Sequence, residues 1–97
     1  MNILEIYKII FALGLSQSQI EFSEIWLGRS PRYYSHLIAS GNEPGVATLV
    51  ALNNRIVRVI AEPGTSRDTA DELKRISGDL SRSIALRSMC RWKKRPV

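Results

Sequence analysis

The chain holds a single cysteine and a single histidine among its 97 residues, and these two shortages exclude several function classes. Cys90 has no partner for an intramolecular disulfide, and a cysteine-based zinc site lacks ligands. His36 alone makes no His-pair metal site and leaves a Ser-His-Asp triad with one candidate base. Long apolar runs are also missing. The most apolar stretch, Ile3 to Leu15, is broken by Glu5 and Lys8 and falls well short of the ~20 residues that cross a bilayer. It lacks the charged leader and small-residue cleavage site of an export signal, so the expectation is a cytoplasmic protein with no membrane partner. No glycine-rich phosphate loop is present, because Gly41 and Gly45 do not lead into a Gly-Lys-Ser/Thr element. Acid pairs such as Asp71-Glu72 lie beside Lys74 and Arg75, where ion pairing explains them. A single domain of this size leaves little room for a water-excluding cleft. The expectation is a protein that is not an enzyme and holds no cofactor and no metal.

What the chain does have is positive charge, unevenly placed. The formal net charge is +5, but residues 1–28 sum to −2, 29–60 to +3 and 61–82 to −1, while 83–97 carry +5 with no acid. The basic residues of that last stretch are Arg87, Arg91, Lys93, Lys94 and Arg95. Two concentrations of cations point to a polyanionic partner.

Glycine, proline and capping residues divide the chain into five helical stretches, which predicts an all-α, compact bundle of four to five helices. Helix one spans Ile3 to Leu13, ends at Gly14, and is apolar on nearly every face, which predicts a central, well-covered helix. Ser18-Gln-Ile-Glu21 has the form of a capping box and opens helix two, which runs to about Leu27. Its expected buried face takes Ile20 or Phe22, then Ile25, Trp26 and Leu27. Helix three is predicted to start with Ser30 as N-cap and Pro31 at the first helical position, and to end near Ala39. The loop Ser40-Gly41-Asn42-Glu43-Pro44-Gly45 follows. Helix four is expected from Val46 to about Ala61, with Val46, Leu49, Val50, Ile56, Val57 and Ile60 on one broad stripe. Asn53 and Asn54 interrupt its apolar pattern and fit either solvent or loop backbone. A fifth helix opens at Thr65 or Ser66, with Asp68, Asp71 and Glu72 where the helix dipole favours acids. Gly78 is a candidate kink within it.

Helix two, the turn Leu27-Gly28-Arg29-Ser30 and helix three form a helix-turn-helix. Such a turn must be tight and sterically bare, and both helices need an apolar face to fix their angle. Phe22, Trp26, Tyr34 and Leu37 suit that face, so Trp26 and Tyr34 read as core rather than contact residues. Arg29, Arg32, Tyr33, Ser35 or His36, and Ser40 fall on the outer side of helix three, where donors and planar rings suit phosphates and base edges.

The stretch from Leu15 to about Ile60 resembles the phage-repressor (Cro-like) helix-turn-helix family of small bacterial and phage regulators. The resemblance is carried by Gly14-Leu15-Ser16-Gln17 before helix two, Leu27-Gly28-Arg29-Ser30 at the turn, Tyr33-Tyr34-Ser35-His36-Leu37 in helix three, and Ser40-Gly41-Asn42-Glu43-Pro44 after it. It implies a bundle whose third helix, about 31–39, enters the DNA major groove, commonly as a dimer on palindromic sites. By this resemblance Arg32, Tyr33 and His36 face the groove, and Ser16, Gln17, Arg29 and Ser30 lie near phosphates. Counted back from Gly28, helix two has one residue more than the family pattern. The small residue that packs under the turn falls on Glu24, whereas Ser23, next to Phe22, is the chemically sensible match. The groove-facing side is thin in Asn and Gln, which favours backbone contact over base reading.

Beyond this unit, Leu73, Ile76, Leu80 and Ile84 form a narrow seam spaced for either core packing or dimerisation, with core packing favoured for Leu73 and Ile76 because a small core needs them. Ala85, Leu86, Met89 and Trp92 extend its apolar character. The expected organisation is a helix-turn-helix domain at 1–64, a C-terminal amphipathic helix at 65–92 that serves as a dimerisation element, and a basic tail at 93–97. Arg91, Lys93, Lys94 and Arg95 are expected to add phosphate contacts. The function expected is a homodimeric regulator that binds double-stranded DNA. The alternative is a module on the same scaffold that binds another regulatory protein without contacting DNA.

Overall fold

The structure of the protein, a computed structural model, describes residues 2–93, with side chains to Arg87. Five helices and no strand are formed among the described residues, the all-α class that the placing of glycine, proline and capping residues predicts. The first helix, α1 (Ile3–Ala12), is capped by Asn2, whose side chain accepts the Glu5 N–H at 2.9 Å. It buries only Ile3, Ile6 and Ile10, one stripe at helical spacing. Leu4 and Phe11 are exposed, so α1 lies on the outside of the bundle rather than at its centre as its composition suggests. Gly14, at φ +76°, turns the chain away from α1, a conformation that favours glycine.

The second helix, α2, has two parts. Ser18 caps the α-helical start Gln19–Glu21 by accepting the Glu21 N–H at 3.1 Å, the serine half of the capping box. From Phe22 to Trp26 the backbone winds as a π-helix, and the Leu27 N–H donates to the Phe22 carbonyl five residues back at 3.0 Å. This wide turn absorbs the residue in excess. Phe22, Ser23, Trp26 and Leu27 all remain buried, and the surplus emerges as Ile25, which is 48% exposed. Ile20 is likewise exposed, so the buried face of α2 is narrower than its apolar residues suggest.

The third helix, α3 (Tyr33–Ser40), begins two residues later than the Ser30-Pro31 signal predicts. The Tyr33 N–H donates to the Ser30 carbonyl at 3.0 Å, so Ser30 opens a tight turn through Pro31 and Arg32 instead of capping a helix. Gly41, at φ +69°, ends α3. The fourth helix, α4 (Val46–Ala61), has the predicted bounds and buries Thr48, Leu49, Leu52, Ile56 and Val59. Val50 and Val57 of the expected stripe are exposed instead. The fifth, α5 (Arg67–Lys93), follows Ser66, whose side chain accepts the Thr69 N–H at 3.2 Å, and runs through Gly78 without interruption.

Helices α4 and α5 pack antiparallel. Thr65 donates to the Val59 carbonyl at 2.6 Å near one end, and Arg87 reaches the Pro44 carbonyl at 2.7 Å and the Glu43 carboxylate at 2.5 Å near the other. Between them Asn53 accepts from Ser77 at 2.7 Å and donates to Ser81 at 3.4 Å. Asn53 is therefore satisfied by the neighbouring helix rather than by loop backbone, while Asn54 is exposed to solvent. Leu73, Ile76 and Leu80 of α5 enter the same core as Ile6 and Ile10 of α1, Phe22 of α2 and Leu52 of α4. Through these residues, with Ile84 packed against them, α5 shares one core with α1, α2 and α4.

Candidate nucleic-acid interface

The α2–α3 unit is held from below by one serine. Ser23 is fully buried, donates to the Gln19 carbonyl at 3.0 Å and accepts the Tyr34 N–H at 2.9 Å, which ties the first turn of α3 directly to α2. Its own carbonyl accepts the Arg29 N–H at 2.9 Å. A buried serine with both capabilities used costs little to desolvate and fixes the angle between two short helices. Gly28, at φ +64°, makes the intervening turn possible.

Apolar packing sets the same geometry from the other side. The rings of Tyr7, Phe22 and Tyr34 meet at centroid distances of 5.1 Å (Tyr7–Phe22), 4.8 Å (Tyr7–Tyr34) and 5.3 Å (Phe22–Tyr34). Tyr34 and Trp26 are core residues, as expected. The Tyr34 hydroxyl is buried with no hydrogen-bond partner among the described residues, and burial, with the neighbouring Tyr7 adding to it, pushes its phenol above the usual tyrosine range.

With Tyr34 and Leu37 turned inward, α3 shows Arg32, Ser35, His36 and Ala39 to solvent, a stripe at helical spacing. Arg29 and Ser30 are exposed at the turn and Gln17 ahead of α2. Among the described residues neither Arg29 nor Arg32 forms an ion pair, and no acidic residue occurs from Ile25 to Asn42. Tyr33 is half-buried and packs against the core. The guanidinium of Arg29 sits over its ring, 4.8 Å from the centroid, and its hydroxyl lies 3.5 Å from the Thr48 hydroxyl of α4.

Two groups of expected site residues lie elsewhere. Ser16 is 1% exposed and donates to the Ser18 carbonyl at 3.1 Å, so it shapes the entry into α2 and is not at hand for a phosphate. Leu73, Ile76 and Leu80 are inside this chain's own core and Ile84 is half-buried against it, which leaves the seam unavailable as a dimer surface. The side chains of Met89, Arg91, Trp92 and Lys93, and all of Lys94 and Arg95, lie outside the described residues. Of the last basic stretch, Arg87 is described, and its charge is paired with Glu43.

The structure adds one residue to the interface that the sequence reading lacked, Thr48 beneath Tyr33, and puts Ser23 under the turn, where its size suits it. Thr48 had a signal of sorts, a polar residue on the buried stripe of α4. A groove of about 590 Å³ lies between the start of α1, the end of α3, the start of α4 and α5; Leu4, Ile38 and Leu49 line it with Glu5, Glu43 and Arg87. Among the described residues no His, Cys, Asp or Glu cluster converges on a point that could hold a metal ion, and no helix is long and apolar enough to cross a membrane. A family of unknown function (DUF6626) matches residues 3–93. No curated protein and no solved structure matches the chain.

Proposed function

We propose, for a chain that belongs to the DUF6626 family, the role of a small DNA-binding regulator that docks the outer face of α3 on duplex DNA. The observation that carries this reading is the pair Arg29 and Arg32, exposed and unpaired at the turn and the start of α3 on a stretch without acids. Free cations on a short, braced helix can displace counterions from phosphates and bring Ser35 and His36 to base edges. The resemblance of the turn and α3 to Cro-like regulators supports the same docking. Because α3 offers few amide side chains, most of the binding free energy is assigned to the backbone.

Fluorescence anisotropy with random-sequence duplex DNA over a salt series tests this. Wild type should bind at submicromolar concentration with a steep salt dependence. Arg29→Ala and Arg32→Ala should each weaken binding across sequences and lower the log–log salt slope by about 1. Binding of Arg32→Ala that equals wild type removes the α3 assignment. The second reading, a module that binds another regulatory protein, is favoured by Ile38, 40% exposed on α3 and lining the groove with Leu4. It gains if wild type shows no salt-sensitive DNA binding.

A further inference from the structure

We infer that Tyr33 is a positioning residue for Arg29, and that the two form a preset phosphate clamp at the edge of the α2–α3 unit; the inference rests on the DNA-binding reading above. Arg29 is fixed at two points. Its N–H is tied to the Ser23 carbonyl at 2.9 Å, and its guanidinium lies over the Tyr33 ring at 4.8 Å. The ring is itself backed by the bundle, since Tyr33 packs against the core and its hydroxyl meets buried Thr48 at 3.5 Å.

A guanidinium stacked on an aromatic face keeps its in-plane N–H donors free along its edge, the geometry that grips a phosphate with two parallel bonds. Stacking also removes rotamers before DNA arrives, so less ordering is left to be done on binding. Arg32 has no such backing ring among the described residues, so the two arginines are not equivalent. The structure assigns the rigid backbone contact to Arg29 and leaves Arg32 to adapt.

The test is anisotropy on a random-sequence duplex from about 50 to about 200 mM salt, with thermal unfolding of every variant. Tyr33→Leu should weaken binding about fivefold, the scale of an exposed cation–π contact, and leave the salt slope unchanged because no charge is lost. Tyr33→Phe, which keeps the ring, should bind as wild type does. In an Arg29→Ala background Tyr33→Leu should have no further effect, which a general structural role would not produce. Arg29→Lys tests the same point without touching the bundle: it keeps the charge and loses the planar stack, so the slope should hold while affinity falls by a similar factor. Additive losses in the cycle, Tyr33→Phe as weak as Tyr33→Leu, or Arg29→Lys as tight as wild type would each overturn the clamp while leaving DNA binding intact. Absence of salt-dependent binding by wild type would overturn both.

Discussion

The Tyr34 hydroxyl is, with Arg55 Nε, one of two buried side-chain polar atoms without a partner among the described residues, and its phenol is held above the ordinary range. An unsatisfied buried hydroxyl costs roughly 1–3 kcal/mol, so Tyr34→Phe should raise stability at neutral pH by about 1 kcal/mol in urea unfolding. The sign of the alkaline effect follows from the same burial. The folded state holds the proton while the unfolded chain releases it near about pH 10, so stability present below that pH declines as pH rises through it. Tyr34→Phe should flatten that decline, and a less stable variant with the same alkaline loss would refute the account. Single residues were unevenly legible. Tyr34 and Trp26 read as core because large aromatics seek burial. Ser16 misled because a serine ahead of a helix can serve a phosphate or its own turn, and the acceptor that decides, the Ser18 carbonyl, is a matter of backbone conformation. Asn53 was undecidable because its partners Ser77 and Ser81 come from a helix far along the chain.

At the scale of elements, end signals were read well where one residue decides and poorly where a turn intervenes. Gly14 and Gly41 stop α1 and α3, and α4 has its predicted bounds. The start of α3 was misplaced because Ser30-Pro31 suits either a cap or the tight turn it forms. The composition of α1 exaggerated its burial because apolar count carries no information about which sides are covered. The π-turn of α2 was visible only as a mismatch in spacing. Deleting Ile25 should convert it to regular geometry: the Phe22–Leu27 bond becomes an ordinary helical one and the Ser23–Arg29 bond becomes the six-residue closure of a Schellman end. Since the residue removed is half exposed, the shortened protein should fold with stability within about 1 kcal/mol of the parent, measurable by thermal unfolding. A collapse of the fold would show that the wide turn itself is required. Gly28→Ala is the complementary case. An added Cβ meets nothing within 4 Å, so its cost is conformational alone, roughly 1–2 kcal/mol for a left-handed residue.

The molecule as a whole depends on its last helix. Leu73, Ile76 and Leu80 fill the same core as the residues of α1, α2 and α4. In sequence, core demand assigns Leu73 and Ile76, but Leu80 and Ile84 stay ambiguous because a narrow apolar stripe looks the same whether its partner is a neighbouring helix or a second chain. Leu80→Glu should therefore unfold the protein by circular dichroism at every concentration, and a folded, dissociated species would restore the dimer reading. A fragment ending at residue 64 should likewise show no cooperative thermal transition. The same dependence governs how the core closes. Leu52 and Ile56 of α4 share one core with Leu73, Ile76 and Leu80, so that core closes only once α5 is in place. Folding is therefore one event for the whole bundle, with the last helix among the elements that close it, rather than a sequence of stable partial bundles.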